Sequence, residues 1–290
     1  MIASNPSSTH DWLAAGVPDL FSIVIPARNE AENLKVVVPK LVSDLERAGI
    51  DHEILVVNDG STDASRDVLI ELAARYHQVR FIDNPAPHGF GLAVHAGLAN
   101  FRGDAVAIVM ADGSDSPADL VKYRAKLQEG YDCVFGSRFV SGSKVVDYPV
   151  HKLILNRLAN LFIKVLFQIR YNDVTNAFKS YRREVIAGLE PILAHHFNLT
   201  VELPLKAIIR GYSFAVIPIS WTNRASGMSK LKIREMGSRY LFIVIYCFIE
   251  RLLSRGDYRR TSMTVISRNS YTPVSPATEC TSEEDRLSLP

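Results

Sequence analysis

From residue 21 to residue 138 the chain alternates short apolar runs with stretches of helical periodicity. FSIVIP (21–26), EILVVND (53–59), VRFIDN (79–84), AVAIVMAD (105–112) and DCVFGSR (132–138) have strand length and strand composition. Between the first two, Leu34, Val37, Val38, Leu41 and Leu45 recur at helical spacing over 30–48. Further helices are expected at 63–76 with Asp63 as N-cap, at 90–101, and at 117–129 opening on Pro117. This alternation predicts an α/β fold, Rossmann-like, with a mostly parallel central sheet. Ligands of such sheets bind beyond the carboxyl ends of the strands. That edge would gather Asn29–Glu30, Asn58–Asp59, Asp112–Asp115 and Arg138.

The second half changes character. HKLILNRLANLFIKVLFQIR (151–170) is amphipathic, with cations among Leu, Ile and Phe, and FAVIPISW (214–221) is another strand. NRASGMSKLKIREMGSRYL (223–241) carries Arg224, Lys230, Lys232 and Arg234 on a Gly/Ser-bearing loop that runs into a helix. Cations without acidic partners on such a loop suit closure over an anion such as a diphosphate. Four segments are expected: a flexible tail at 1–19, one ligand-binding domain at 20–240, an apolar helix at 241–260, and a disordered Ser/Thr/Pro-rich tail at 261–290.

Totals exclude several classes. The chain has 290 residues, 47% hydrophobic, with a net charge of +2, which is too little for a dedicated nucleic-acid binder. Cys133, Cys247 and Cys280 form no CxxC pair, so reduced thiols in a cytoplasmic chain are expected. YLFIVIYCFI (240–249) is shorter than the roughly 20 residues that span a bilayer, so any membrane contact is expected to be peripheral. No GxxxxGK[ST] and no GxSxG elbow occurs. GFGLAVHAG (89–97) lacks the third glycine of a dinucleotide fingerprint at Val94 and follows the third strand, not the first. What survives is a site for a phosphorylated ligand and a divalent metal. VMADGSDSP (109–117) offers Asp112 and Asp115 for it, although Asp115 also fits a cap for the helix at Pro117.

IVIPARNEAENL, ILVVNDGSTDAS, HGFGLAVHAGL, VMADGSDSP, FGSRFVSGS, NDVTNAFKSYRREVI, VELPLKAIIRGY and NRASGMSKL follow in this order. Together they resemble the family 2 inverting glycosyltransferases, in particular the dolichol-phosphate mannosyltransferase and bacterial polyprenyl-phosphate glycosyltransferase group. The resemblance covers roughly 21–240 and implies a GT-A nucleotide-sugar-binding fold with C-terminal amphipathic helices. It implies a nucleotide-sugar donor, a lipid-phosphate acceptor, and Mg²⁺ or Mn²⁺.

Carried over by position, Pro26, Arg28, Glu30, Val57 and Asp59 would border the nucleotide, with Arg28 where a Tyr is common and Asn58 where an acid is usual. Asp112 would ligate the metal, flanked by Ala111 and Ser114. Met110 stands where the first acid of the motif is expected, and Asp115 would supply the missing charge. Arg138 would face the sugar or diphosphate. Arg224, Ser229 and Lys230 would close over the diphosphate and acceptor phosphate, and Glu202 of TVELPL is the candidate acid near the acceptor.

An acceptor phosphate is already anionic and needs no general base, whereas a hydroxyl acceptor does. The resemblance therefore implies mannose or glucose transfer to a polyprenyl phosphate at the cytoplasmic membrane face. Transfer to a glycan hydroxyl, or nucleotide-sugar binding without turnover, are the alternatives. The sequence leaves the oligomeric state open.

Overall fold

Strands that read as near-continuous apolar runs need cover on both faces. The computed structural model, which describes residues 20–223 and 233–259, supplies it. In chain order come β1 (Phe21–Ala27), α1 (Ala31–Arg47), β2 (His52–Asn58), α2 (Ser65–Arg75), β3 (Val79–Asp83), α3 (Phe90–Asn100), β4 (Ala105–Ile108), α4 (Pro117–Gln128) and β5 (Cys133–Ser137). Then follow β6 (Lys144–Val146), α5 (Val150–Phe167), β7 (Lys179–Arg182), α6 (Arg183–Gly188), α7 (Leu199–Ile209), β8 (Phe214–Pro218), β9 (Ser220–Thr222) and α8 (Ile233–Leu253).

The main sheet has seven strands in the order β3-β2-β1-β4-β7-β5-β8, and β6 with β9 forms a separate pair. β1 runs parallel to β2 and β4, β2 to β3, and β5 to β8; β7 alone is antiparallel, inserted between β4 and β5. The period-2 geometry of strands splits the apolar runs between two cores. Ile23, Ile25, Ile54 and Val56 pack with α1, α2 and α4, whereas Val24, Leu55 and Val57 face α3 and α7.

Four expectations are corrected. β4 leaves the sheet at Ile108, before the expected 112, because the Met110 amide turns away to donate to Asp115 Oδ2 at 3.1 Å. The N-cap of α2 is Ala64, not Asp63. The N-cap of α4 is Ser116, which leaves Asp115 for another task. α8 begins at Ile233, so the expected boundary at 240/241 falls inside one helix. The two tails, 1–19 and 261–290, lie outside the described residues.

α5 is turned outward to an unusual degree. Only Asn160, Ile163 and Phe167 are buried, while Val150, Ile154, Leu158, Leu161, Phe162 and Val165 are exposed. α8 packs on α7 through Ile243, Val244 and Cys247 and exposes Leu241, Phe242, Ile245, Ile249, Leu252 and Leu253. Among the described residues no helix is long and apolar enough to cross a membrane.

Candidate active site

Parallel pairing aligns the ends of β1 and β2, with Ala27 opposite Asn58. The loops that follow are stitched together. Asn29 adopts a left-handed conformation (φ 56°), which Asn tolerates better than most residues, and its Oδ1 accepts from the Thr62 amide at 2.7 Å. The Glu30 amide donates to Ser65 Oγ at 2.9 Å. Asp63 joins both helix starts, accepting from the Ala31 amide at 3.3 Å and the Ser65 amide at 2.9 Å. Glu30 is half-buried and accepts from Asn33 Nδ2, and Arg28 is exposed.

Asp59 is buried and fastens the β3–α3 loop. Its Oδ1 accepts from Asn84 Nδ2 at 2.8 Å and lies 3.3 Å from His88 Nδ1, and its Oδ2 accepts from the Gly89 amide at 2.9 Å. Its carboxylate is thus spent within the protein, on the wall of the site. The glycines that imitated a dinucleotide fingerprint have a packing role: a Cβ at Gly91 would collide with the Ala194 carbonyl, and one at Gly97 with Val24.

At the end of β4 the chain makes a closed loop. Gly113 has φ 70°, and the Ser114 amide donates to Asp112 Oδ1 at 3.1 Å. Asp115 forms an isolated bridge with Trp221, and the Thr222 amide donates to the Ser114 carbonyl at 3.1 Å. The carboxyl of Asp115 is pushed up to about 7, first by burial and further by the charge of Asp112, against the pull of the Met110 amide and Arg138. A cation beside the two acids would favour the charged form of both. Among the described residues no cluster of three or more acidic, His or Cys groups could hold a metal ion. Mg²⁺ commonly takes one or two carboxylates and completes its shell with phosphate and water, which fits Asp112 and Asp115.

Arg138, just past β5, borders the same loop through Trp221, whose ring centroid is 5.9 Å from its guanidinium carbon. It is held by Asp173: the backbone amide and Nε donate to Oδ2 at 2.9 Å each, and Nη2 donates to Oδ1 at 2.7 Å. Burial works against its charge, but Asp173 outweighs that and raises the guanidinium pKa. Nη1 faces Tyr148 Oη at 3.4 Å, and Tyr148 packs on Trp221 with ring centroids 4.9 Å apart. Beneath them Lys179 donates to the carbonyls of Val174 (2.9 Å), Thr200 (3.2 Å) and Asn176. Three acceptors match the three N–H groups of an ammonium. Burial nevertheless draws its pKa down to about 7, against the pull of Asp173.

Several sequence assignments change. Glu202 is fully buried: its carboxylate accepts from the amides of Leu193 (2.8 Å) and Ala194 (2.7 Å) and pairs with Lys206 at 2.6 Å. A general base must reach the proton it removes, and Glu202 instead holds the 193–194 turn. Val57 and Ala111 are core residues, and Pro26 is buried in β1, so no exposed side chain of these three borders the site. Ser114 is buried beside Asp112. Arg224, Ser229 and Lys230 lie outside the described residues. Asp173, Tyr148 and Trp221 were missed by the sequence reading. Asp173 lies in the NDVTNAFK run, but no local spacing links it to Arg138, 35 positions earlier.

The mostly parallel sheet, with Asp112 and Asp115 beyond β4 and Arg138 beyond β5, has the architecture of the GT-A class of glycosyltransferases. The chain belongs to glycosyl transferase family 2, whose family model matches residues 22–189. It is similar to the polyprenol monophosphomannose synthase of Mycolicibacterium smegmatis, 34% identical over 222 residues, 73% of this chain and 82% of that one. It is also similar to the dolichol-phosphate mannosyltransferase of Pyrococcus furiosus, 32% identical over 216 residues, 73% of this chain and 59% of that relative's length. Among solved structures, the glucosyl-3-phosphoglycerate synthase of Mycobacterium tuberculosis, in complex with Mn²⁺, UDP and phosphoglyceric acid, shares the fold. Its TM-score is 0.61 at 21% identity, covering 86% of this chain and 84% of that one. The protein is a glycosyltransferase with the GT-A fold.

Proposed function

We propose that the enzyme transfers a hexose, mannose or glucose, from a nucleoside-diphosphate sugar to a polyprenyl or dolichyl phosphate, with inversion. The observation that carries the acceptor class is the sealing of Glu202. The acid that the sequence offered as a general base is occupied on both oxygens, and a phosphate acceptor requires none. The names of the two curated relatives, a polyprenol monophosphomannose synthase and a dolichol-phosphate mannosyltransferase, agree with that acceptor and favour mannose.

In this reading an acceptor phosphate oxygen attacks the anomeric carbon while the bond to the donor diphosphate breaks on the opposite face. The diphosphate leaves as an anion, and its stabilisation is the larger electrostatic task. A divalent ion held by Asp112, with Asp115 second, would neutralise that charge as a Lewis acid. Arg138 lies close enough to Asp115 to act on it electrostatically, with its own charge balanced by Asp173. By the motif resemblance, Arg224, Ser229 and Lys230 serve the diphosphate and the acceptor phosphate.

A lipid-linked acceptor brings the enzyme to a membrane surface. The outward apolar residues of α5 and α8 suit that contact. Residues 150–170 contain His151, Lys152, Arg157, Lys164 and Arg170 and no acid, so the surface favoured is an anionic one.

The test is incubation of the full chain with labelled GDP-mannose or UDP-glucose, Mg²⁺ or Mn²⁺, and polyprenyl phosphate. The expected product is an acid-labile lipid-linked sugar. Donor turnover without lipid-linked product at any metal concentration would sink the acceptor assignment.

A further inference from the structure

We propose that Asn156 and Asn160 are positioning residues that couple lipid-surface docking of α5 to the Arg138–Asp173 pair; this inference rests on the membrane contact and the reaction of the preceding section. The observation is the two-sidedness of α5. Its outer face is apolar and exposed, and its inner face is anchored by Ile163, Leu166 and Phe167 and by the amides of Asn156 and Asn160. Asn160, almost fully buried, accepts from the Val174 amide at 2.6 Å, adjacent to Asp173. Its Nδ2 donates to Thr175 Oγ1 at 3.0 Å and to the Asn156 carbonyl at 2.9 Å. Thr175 Oγ1 donates to Asn156 Oδ1 at 2.9 Å, and Asn156 Nδ2 donates to Tyr148 Oη at 3.0 Å. Tyr148 in turn contacts Arg138 and Trp221.

An α5 of 18 residues thus fixes both ends of the Arg138 environment, Asp173 on one side and Tyr148 on the other. Yet its own hold on the domain is thin, because only Ile163 and Phe167 are fully buried apolar side chains, with Leu166 partly buried beside them. A helix so placed gains its persistence when its outer face is covered. The absence of acids between 150 and 170 selects an anionic bilayer as the cover. Docking then favours the arrangement in which the two amides grip Tyr148 and the 173–175 turn. It biases the site through differential contact, as a ligand biases any two-state element.

The test uses the full chain, a nucleotide-sugar donor, and a short isoprenyl phosphate that stays in the aqueous phase, so that the acceptor is identical in every arm. Rates are measured without vesicles, with phosphatidylcholine vesicles, and with phosphatidylcholine–phosphatidylglycerol vesicles, alongside vesicle co-sedimentation. For wild type, kcat is expected to rise roughly 3- to 30-fold on the anionic vesicles, the scale of coupling through a packed network. Ile154→Ser with Leu158→Ser should keep the vesicle-free rate and lose both binding and stimulation. Asn160→Leu should bind vesicles as wild type does and lose the stimulation. Should Asn160→Leu fail to fold, the half-buried Asn156→Ala carries the same test with a smaller loss.

Wild-type binding without stimulation, or full stimulation in both Asn variants, overturns the coupling and leaves the proposed reaction intact. A rate that rises with protein concentration instead of with vesicles makes a second copy the cover and overturns the lipid assignment. Absence of transfer in every arm sinks the proposed reaction itself.

Discussion

Asp173 grips Arg138 at three points, receiving the backbone amide and Nε on Oδ2 and Nη2 on Oδ1. Both side chains are buried, Asp173 completely. Removing one partner from such a pair strands a buried charge, at a cost of about 3–5 kcal/mol. Asp173→Asn is therefore expected to lower the melting temperature by roughly 6–12 °C and to reduce kcat in the fraction that remains folded. An unchanged melting curve would mean that Arg138 is held by something else.

Asp112 and Asp115 are separable by substitution. Asp112 is partly exposed, so Asp112→Asn should leave stability within about 0.5 kcal/mol. It should lower kcat by about 100-fold or more if it holds the ion that stabilises the leaving diphosphate. Asp115→Asn keeps an oxygen for the Met110 amide, so the loop stays closed and turnover should stay within about tenfold of wild type. EDTA should abolish turnover, and Mg²⁺ or Mn²⁺ should restore it. The reverse ranking of the two variants would make Asp115 the principal ligand.

The parts of the fold legible in the sequence are those where one local rule decides. β1, β2 and β3 announce themselves as apolar runs, and α4 by Pro117. β7 was missed because KSYR has no apolar alternation; its place between β4 and β5 is set by pairing with Tyr181 and Ser180 across both neighbours. The site divides in the same way. The positions of Asp112 and Asp115 beyond β4 and of Arg138 beyond β5 follow from the strand–helix alternation. The burial of Glu202 and Val57 was not legible because a motif position carries no burial information. Asp173 and Asn160 were invisible because their partners are distant in the chain or on its backbone.

The sealed position of Glu202 gives a kinetic prediction. Glu202→Gln removes the charge facing Lys206 inside the protein and should cost about 3 kcal/mol of stability. Were Glu202 a general base, kcat would fall by about 10²–10⁴. The expectation is a lower melting temperature with kcat, corrected for folded protein, within about threefold of wild type. A loss on the larger scale in a fully folded variant would restore Glu202 to the chemistry and with it the hydroxyl-acceptor reading.

Glu53, on β2, ties the sheet to the segment before β4. It accepts from Ser22 Oγ at 2.6 Å, from Arg80 Nε at 2.8 Å and from the Arg102 amide. Burial pushes its carboxyl upward, but these donors outweigh it and hold the pKa below the ordinary 4.5. Between the lowered folded value and the ordinary one, the unfolded chain binds more protons than the folded chain. Stability from this group is therefore complete above the ordinary value and is lost as pH falls through the folded one. Glu53→Gln keeps the shape and forfeits the charge-assisted bond to Arg80, and should cost about 1–2 kcal/mol near neutral pH. The gap between the urea midpoints of the two proteins should be narrower at about pH 3.5 than at about pH 7. A gap that stays constant across that range would show that the carboxylate's charge contributes nothing to its hold on Arg80.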